Sequence, residues 1–410
     1  MKDLRLPFSK KEAHKLLSEF GSPLYVYDGD ALRIKARQIN AAFNWAKDYK
    51  NFFAVKATPT PKILQILLDE GMGLDCSSRA ELELAKRLKV PGHKIFYTSN
   101  NTPKEDFELA LSLNATINLD DLTQVQVLKS LLGDSPYPRL AFRYNPGDQK
   151  SGNALIGEPT SAKYGMSLTQ LTEAANILAK NVVSLGLHTM VASNELDEEY
   201  FADTARILAQ ALQNLESSTK LKVGFINLGG GFGLNYKPDQ NEFDVSYAAQ
   251  QIRKKIEEFG LQNVSLYTEN GRYVTGPHGY LLSKVRYVMH KHKTYVGLDA
   301  SMHNLMRPGM YGAYHHITVL GKESAEHSTL YDVSGSLCEN NDKFAIDRYL
   351  PEIQSGDIVA IHDCGAHGHS MGFNYNGLLK SPEVIIFKNQ PAVLARRAET
   401  VEDYLKTAIF

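Results

Sequence analysis

Eight short apolar runs, each followed by a longer stretch of helical period, constrain this chain more than any other feature. They lie at 52–56, 73–76, 94–98, 115–118, 139–143, 184–188, 223–228 and 264–268. Brief apolar runs alternating with amphipathic segments are the pattern of βα units, in which each helix covers a parallel strand. Within 197–217, for instance, Phe201, Ala205, Leu208, Leu212 and Leu215 recur at steps of three or four and predict one apolar helix face. Eight such repeats in about 250 residues match the size of a closed (β/α)8 barrel, whose active site lies at the C-terminal ends of its strands. Residues at those ends are the first candidates for chemistry.

Beyond residue 280 the texture changes to β-rich runs such as 280–290, 328–333 and 357–362, separated by Gly, Pro and Asn. These predict a second, antiparallel β domain. The strand-like segment 23–28 precedes the first barrel run and is free to join that domain. The expected division is a barrel over 30–280 and a discontinuous β domain built from 1–29 with 281–410. A chain of 410 residues, 43% of them hydrophobic, is long enough to bury two cores. The loop 144–167, rich in Gly, Ser, Pro and Asn, has the length of a lid or binding loop.

Charge and cysteine content narrow the function classes. Lys and Arg total 45 against 46 Asp and Glu, a net charge of −1, so no summed field draws the protein to nucleic acid or to an anionic membrane. A small-molecule partner is expected. Cys76, Cys338 and Cys364 show no paired spacing, which points to a reducing compartment and not to a disulfide framework. Charges interrupt the apolar residues of the N-terminal segment where a secretory leader needs an unbroken stretch, and no 18-residue apolar run occurs. The expectation is a soluble, cytoplasmic protein.

Lys56 ends the first run with an apolar approach behind it. Burial lowers a lysine's affinity for its proton, and the neutral amine is the form that condenses with an aldehyde. Asp75 and Arg143 also end strand candidates, and Glu269 ends the eighth. After the seventh run, LGGGFG at 228–233 leaves backbone N–H groups free to approach a phosphate. A dinucleotide fingerprint, GxGxxG, fails because it needs glycine where Leu234 stands. Each feature has a plainer reading: a tight turn for the glycines, a solvated loop residue for Glu269, and a small buried hydrophobe for Cys338. The segment 362–369, HDCGAHGH, has His, Asp and Cys at a spacing that suits a transition metal, but incidental clustering is the preferred reading and no metal is expected.

Taken together and in order, these motifs resemble those of the fold-type III pyridoxal-phosphate decarboxylases, the ornithine and diaminopimelate decarboxylase superfamily. The resemblance runs through FFAVKA at 52–57, GLDCSSRAELELA at 73–85, GLHTMVAS at 186–193, LGGGFG at 228–233 and TENGR at 268–272. It continues through RPGMY at 307–311, CENND at 338–342 and GAHGHSMGFNYN at 365–376. It implies a (β/α)8 barrel with a β domain of the alanine racemase type, and pyridoxal 5'-phosphate carried by Lys56. Glu269 would pair with the pyridine nitrogen, making the ring an electron sink. Ser193, Gly230, Gly231 and Arg272 would hold the phosphate, with Asp75, Arg143, Gly271 and Tyr375 also at the cofactor site.

The same resemblance assigns the substrate side. Arg307 and Tyr311 match the pair that holds a substrate carboxylate distant from the reacting centre, which favours diaminopimelate over ornithine, a substrate with no second carboxylate. Cys338 matches a proton donor and Glu339 a contact to the distal ammonium, both reaching into the partner's site of a homodimer. The implied reaction is decarboxylation of meso-2,6-diaminopimelate to L-lysine, the last step of lysine biosynthesis. Alternatives are decarboxylation of another diamino acid (carboxynorspermidine, ornithine or its D-form, D-lysine) and an inactive homologue that only binds. Three positions depart from the pattern. Met190 replaces the histidine that stacks on the cofactor ring, and His367 replaces a phosphate-contacting tyrosine. Asn270 replaces a proline, read as a change in turn stiffness. A thioether still packs on an aromatic face, a histidine can donate to phosphate with help from charge when protonated, and His188 is a further candidate on the same side as Met190.

Overall fold

A computed structural model describes residues 2–153, 155 and 157–410. The loop 144–167 therefore contains two positions, 154 and 156, outside the described residues. Eight parallel strands close into a barrel: Lys50–Ala54, Gly73–Cys76, Ile95–Thr98, Thr116–Leu119, Leu140–Arg143, Leu185–His188, Val223–Asn227 and Ser265–Thr268. The first pairs with the last through Lys50 with Tyr267 and Asn51 with Thr268. Each of the eight expected runs overlaps one strand. The first is displaced: its strand ends at Ala54, and Val55–Ala57 forms a 3-10 turn ahead of the helix Pro61–Asp69. Proline at the first turn of that helix fits there because no backbone donor is needed.

The barrel interior explains why aromatic residues recur in these strands. Phe52, Phe96, Ala141 and Phe225 come from the first, third, fifth and seventh strands and form one layer, as alternate strands do in such barrels. Phe52 and Phe96 lie 5.3 Å apart, and Phe96 and Phe225 6.4 Å. Gly186 admits the Phe225 ring: a Cβ there would stand 1.9 Å from it. This layer is a water-excluding floor beneath the strand ends.

The second sheet has nine strands. It is mixed, which corrects the antiparallel expectation: Leu24–Asp28 runs parallel to Glu383–Ile386, and Thr294–Leu298 parallel to Thr329–Ser334. The remaining pairings are antiparallel, among them those of the long strand Gly279–His290. Alternation sets its two faces. Leu24, Val26, Leu282 and Val384 pack under the first helix, Lys10–Phe20, through Ala13, Leu16 and Leu17. Tyr25, Tyr27, Leu281 and Ile385 face the larger core shared with the barrel. At that seam Glu383 accepts from Tyr27 Oη at 2.8 Å, Thr60 Oγ1 at 2.8 Å and Arg396 Nε at 2.6 Å. A residue of the barrel side and two of the second sheet thus share one buried carboxylate.

Candidate active site

Glu269 follows the eighth strand and is 7% exposed. Its Oε2 meets His188 Nε2 at 3.1 Å, and its Oε1 accepts from Asn227 Nδ2 at 2.7 Å. His188 and Asn227 are the last residues of the sixth and seventh strands, so three neighbouring strand ends converge on one carboxylate. Burial pushes the Glu269 carboxyl up, but attraction and hydrogen bonding from His188, then Lys56 and Asn227, outweigh it and hold the group below the usual carboxylate range. Asp75, on the second strand, goes the other way. Burial and then the charge of Glu269 raise it well above that range, against the pull of Lys56.

Lys56 sits on the turn just past the first strand. It is exposed, so the desolvation expected of it is not found. What distinguishes it is its company: its charge acts on both Asp75 and Glu269.

The glycine-rich loop is held by its neighbours. Gly229 N–H donates to Asn227 Oδ1 at 3.0 Å, Gly230 N–H to Met190 Sδ at 3.2 Å, and Phe232 N–H to Asn270 Oδ1 at 3.1 Å. Asn194 Oδ1 accepts from Leu234 N–H at 2.9 Å. A Cβ on Gly230 would stand 2.6 Å from the Glu269 carbonyl, and one on Gly231, at φ +113°, 2.7 Å from that of Ala192. Close packing of three barrel loops therefore requires glycine here, whatever the loop binds. Asn270 does more than alter turn stiffness. Its own N–H donates to Asn51 Oδ1 at 2.8 Å while its side chain caps the glycine loop, two bonds that proline cannot make.

Lys56, Asp75, Met190, Ser193, Gly230, Gly231, Glu269, Gly271, Arg272 and His367 line one cleft of about 480 Å³ at the barrel mouth. Three buried atoms of this lining lack a partner: Asp75 Oδ1, Asn270 Nδ2 and Arg272 Nε. Leaving a buried polar atom unpaired costs about 1–3 kcal/mol, and these three gather that unused bonding capacity in one cleft. The donors of Asn270 and Arg272 suit a phosphate, Glu269 suits a protonated ring nitrogen, and Lys56 suits an aldehyde. The residues present fit pyridoxal phosphate.

Other expected site residues lie elsewhere. His188 is committed to Glu269 beneath the cleft and does not line it. Arg143 pairs with Asp120 at 3.2 Å and lines the neighbouring pocket with Tyr164. Burial, followed by the charges of Arg272, Lys56 and Arg307, holds His367 well below the ordinary histidine range. Tyr311, Cys338, Glu339 and Tyr375 are exposed and outside the cleft. Cys338 N–H is tied to Asn376 Oδ1 at 2.8 Å, which sets its loop against the turn that carries Tyr375. In the segment 362–369, His362 bonds Thr318 Oγ1 and Cys364 is buried against backbone carbonyls. Among the described residues no group of three or more His, Cys, Asp or Glu is placed to hold a metal.

Arg307 is 5% exposed, and among the described residues no carboxylate lies within ion-pair distance of it. Its guanidinium stands 4.6 Å over the Tyr236 ring, and the Tyr236 hydroxyl accepts from Arg272 Nη1 at 2.9 Å. A single side chain thus joins Arg307 to the cleft. Sequence reasoning missed Tyr236, Asn51, Asn194 and Asn227. Of these, Asn227 alone carried a signal, as the last polar residue of the seventh run.

A barrel with a lysine at the end of its first strand, an acid at the end of its eighth and a glycine-rich loop after its seventh defines a class of cofactor-dependent enzyme. The profile of the family described as "Pyridoxal-dependent decarboxylase, pyridoxal binding domain" matches residues 30–276, and the chain belongs to that family. It is 38% identical to Protein TabA of Pseudomonas amygdali pv. tabaci over 395 residues, covering 95% of this chain and 92% of that one. To the diaminopimelate decarboxylase of Methanothermobacter thermautotrophicus it is 32% identical over 403 residues, 96% and 93% of the two chains. The crystal structure of the M. jannaschii diaminopimelate decarboxylase in complex with L-lysine superposes with a TM-score of 0.91 at 28% identity, over 97% and 94%. The protein is a pyridoxal-phosphate-dependent carboxy-lyase. Among the described residues no helix is long and apolar enough to cross a membrane.

Proposed function

We propose that the substrate is an amino acid with a second, distal carboxylate, and that it is meso-2,6-diaminopimelate, converted to L-lysine and CO2. One observation carries this reading: Arg307 is a buried cation beside the cleft with no acidic partner in ion-pair contact among the described residues. A buried charge left unpaired is costly, and a substrate carboxylate would compensate it with paired N–H donors. Ornithine and lysine have no group to offer there.

Bound pyridoxal phosphate supplies an electron sink for the pair left at the α-carbon when the carboxylate departs as CO2. The chain's residues serve that event. Glu269, kept anionic by His188 and Asn227, holds a proton at the ring nitrogen. Gly230, Gly231, Ser193, Arg272 and His367 would hold the phosphate, with Gly271 beside them, Met190 would pack on the ring, and Asp75 would orient Lys56, the amine available to the aldehyde. Cys338 returns a proton to the α-carbon, while Glu339 and Tyr311 contact the distal end of the substrate.

Because Cys338, Glu339, Tyr311 and Tyr375 are exposed outside the cleft, this reading includes a homodimer in which Cys338 and Glu339 complete the partner's site. It also includes the barrel and β-domain limits 30–280 and 1–29 with 281–410, a cytoplasmic location and a place in lysine biosynthesis. Mixing inactive Lys56→Ala and Cys338→Ala chains tests the dimer, since mixed pairs carry one intact site and activity should partly return. The substrate is tested by measuring CO2 release from meso-diaminopimelate, L-ornithine and L-lysine. Turnover confined to diaminopimelate, with KM raised far more than kcat falls in Arg307→Ala, is the expected result. Equal turnover of ornithine would overturn the reading.

A further inference from the structure

The surroundings of Arg307 go beyond the absence of an acid. The residue opens the short helix Arg307–Tyr311, and its Nη1 lies 2.9 Å from Nε2 of His315. His315 is fully buried, and its other ring nitrogen, Nδ1, lies 2.8 Å from the carbonyl oxygen of His362. A carbonyl only accepts, so Nδ1 carries the ring proton. Nε2 is then bare and accepts from the guanidinium. Burial, followed by the charge of Arg307, lowers the His315 pKa to about 3, so the ring is neutral at any working pH. On its other side Arg307 stacks on Tyr236, whose ring also meets His315 edge-on at 5.2 Å. The charge of Arg307 reaches the Asp363 carboxyl, but that group is bound to Lys2 Nζ at 2.5 Å.

We propose that His315 and Tyr236 are positioning residues that grip Arg307 through uncharged contacts alone, leaving its guanidinium without a carboxylate partner among the described residues, and that this grip makes the site select substrates bearing a distal anion. The inference rests on the reading of Arg307 given above. The usual way to fix a buried arginine is a carboxylate, which forms two parallel bonds but cancels the charge. A neutral imidazole acceptor and an aromatic face fix the same guanidinium and cancel nothing. Tyr236 adds a spacing constraint. Its hydroxyl is bonded to Arg272 at the phosphate end of the cleft while its ring carries Arg307, so one rigid side chain sets the interval between the cofactor's anchor and the substrate's.

The test compares His315→Asp, His315→Leu, His315→Gln and Tyr236→Leu with Arg307→Ala in the holoenzyme. Steady-state kinetics with meso-diaminopimelate is one readout, and direct binding of pimelate, a dicarboxylate without amines, is the other. His315→Asp supplies an internal counter-ion and is expected to raise both KM and the pimelate Kd by roughly tenfold or more, with a much smaller change in kcat. His315→Leu removes the acceptor without adding charge, and is expected to raise both by several-fold through loss of orientation. His315→Gln keeps an acceptor and is expected to recover most of the loss. Tyr236→Leu is expected to raise KM and also to weaken the cofactor's affinity, because it frees Arg272 as well. If Arg307→Ala raises KM while both His315→Asp and His315→Leu leave KM and pimelate binding unchanged, the inference is overturned and the function stands. If Arg307→Ala itself leaves KM unchanged, the substrate reading fails first. Should His315→Asp not fold, His315→Leu decides the matter.

Discussion

Glu383 and Asp75 are both carboxyl groups sealed from solvent, yet their surroundings treat them in opposite ways. At the seam between barrel and second sheet, Glu383 accepts from Tyr27, Thr60 and Arg396, with His369 Nδ1 at 3.7 Å. Burial raises its carboxyl, but His369 and then Arg396 outweigh that and keep it below the usual range. At the barrel mouth, Asp75 Oδ1 has no partner, and its carboxyl is held well above that range. Glu383 is saturated and Asp75 is not. Glu383, with its bonds made, holds the fold together, whereas Asp75, in the lining of the cleft, keeps bonding capacity that a bound ligand would meet.

The largest effect expected on the mouth side is that of Lys56→Ala, which abolishes turnover because no other cleft residue offers an amine to the aldehyde. Borohydride reduction followed by peptide mapping checks it, and a phosphopyridoxyl group on any other lysine would sink the assignment. On the seam side, Glu383→Gln is expected to lower stability by about 2 kcal/mol in urea unfolding while leaving cofactor affinity unchanged. A loss of affinity alone, at constant stability, would blur the contrast.

The two acids also predict pH effects of opposite sign. The folded value of Glu383 lies below its ordinary 4.5, so the unfolded chain binds more protons there. Its contribution is present above pH 4.5 and is lost as pH falls. The folded value of Asp75 lies above its ordinary 3.8, so the native chain binds more protons and stability drains away as pH rises from that value. Asp75→Asn should therefore stabilise the cofactor-free protein near pH 7, by up to about 1 kcal/mol, while lowering turnover. Urea midpoints between pH 4 and 8 decide this, and a destabilised Asp75→Asn would show that the carboxyl is structural.

The smallest effects are expected where the cleft departs from its family. Met190→Ala should weaken pyridoxal phosphate binding by roughly 0.3–1.5 kcal/mol, the range for a thioether against an aromatic ring. His367→Ala should weaken it too, with His367→Tyr tolerated better because a hydroxyl again reaches the phosphate. Fluorescence titration of the cofactor-free variants measures both, and unchanged affinity in the two alanine variants would remove these residues from the site.

Much of the barrel was legible because period and order are local signals: Phe201 through Leu215 mark a helix face, and eight apolar runs mark eight strands. The cleft was legible where a residue type and a strand end coincided, as at Glu269 and Asp75. Three things were not. The burial expected of Lys56 failed because the strand stops at Ala54 and a 3-10 turn lifts the lysine out. The mixed sheet was hidden because the parallel partner of Leu24–Asp28 lies at Glu383–Ile386, far along the chain. The work of Asn270, Asn194 and Tyr236 is done across loops, where bonds such as Phe232 N–H to Asn270 Oδ1 leave no periodic trace.

That long-range pairing has a further consequence for how the molecule comes into being. Leu24–Asp28 lies between Gly279–His290 and Glu383–Ile386, so a strand among the earliest made waits for two of the later ones. During synthesis the barrel strands can all emerge before either neighbour of that strand has been made. Until then Leu24, Val26 and their neighbours present an unpaired apolar edge, the kind of surface that slows maturation and invites association between nascent chains. The capped helix Lys10–Phe20, which packs Ala13, Leu16 and Leu17 on this same face and precedes it in the chain, is positioned to shield it, acting as a built-in escort until the last strands arrive.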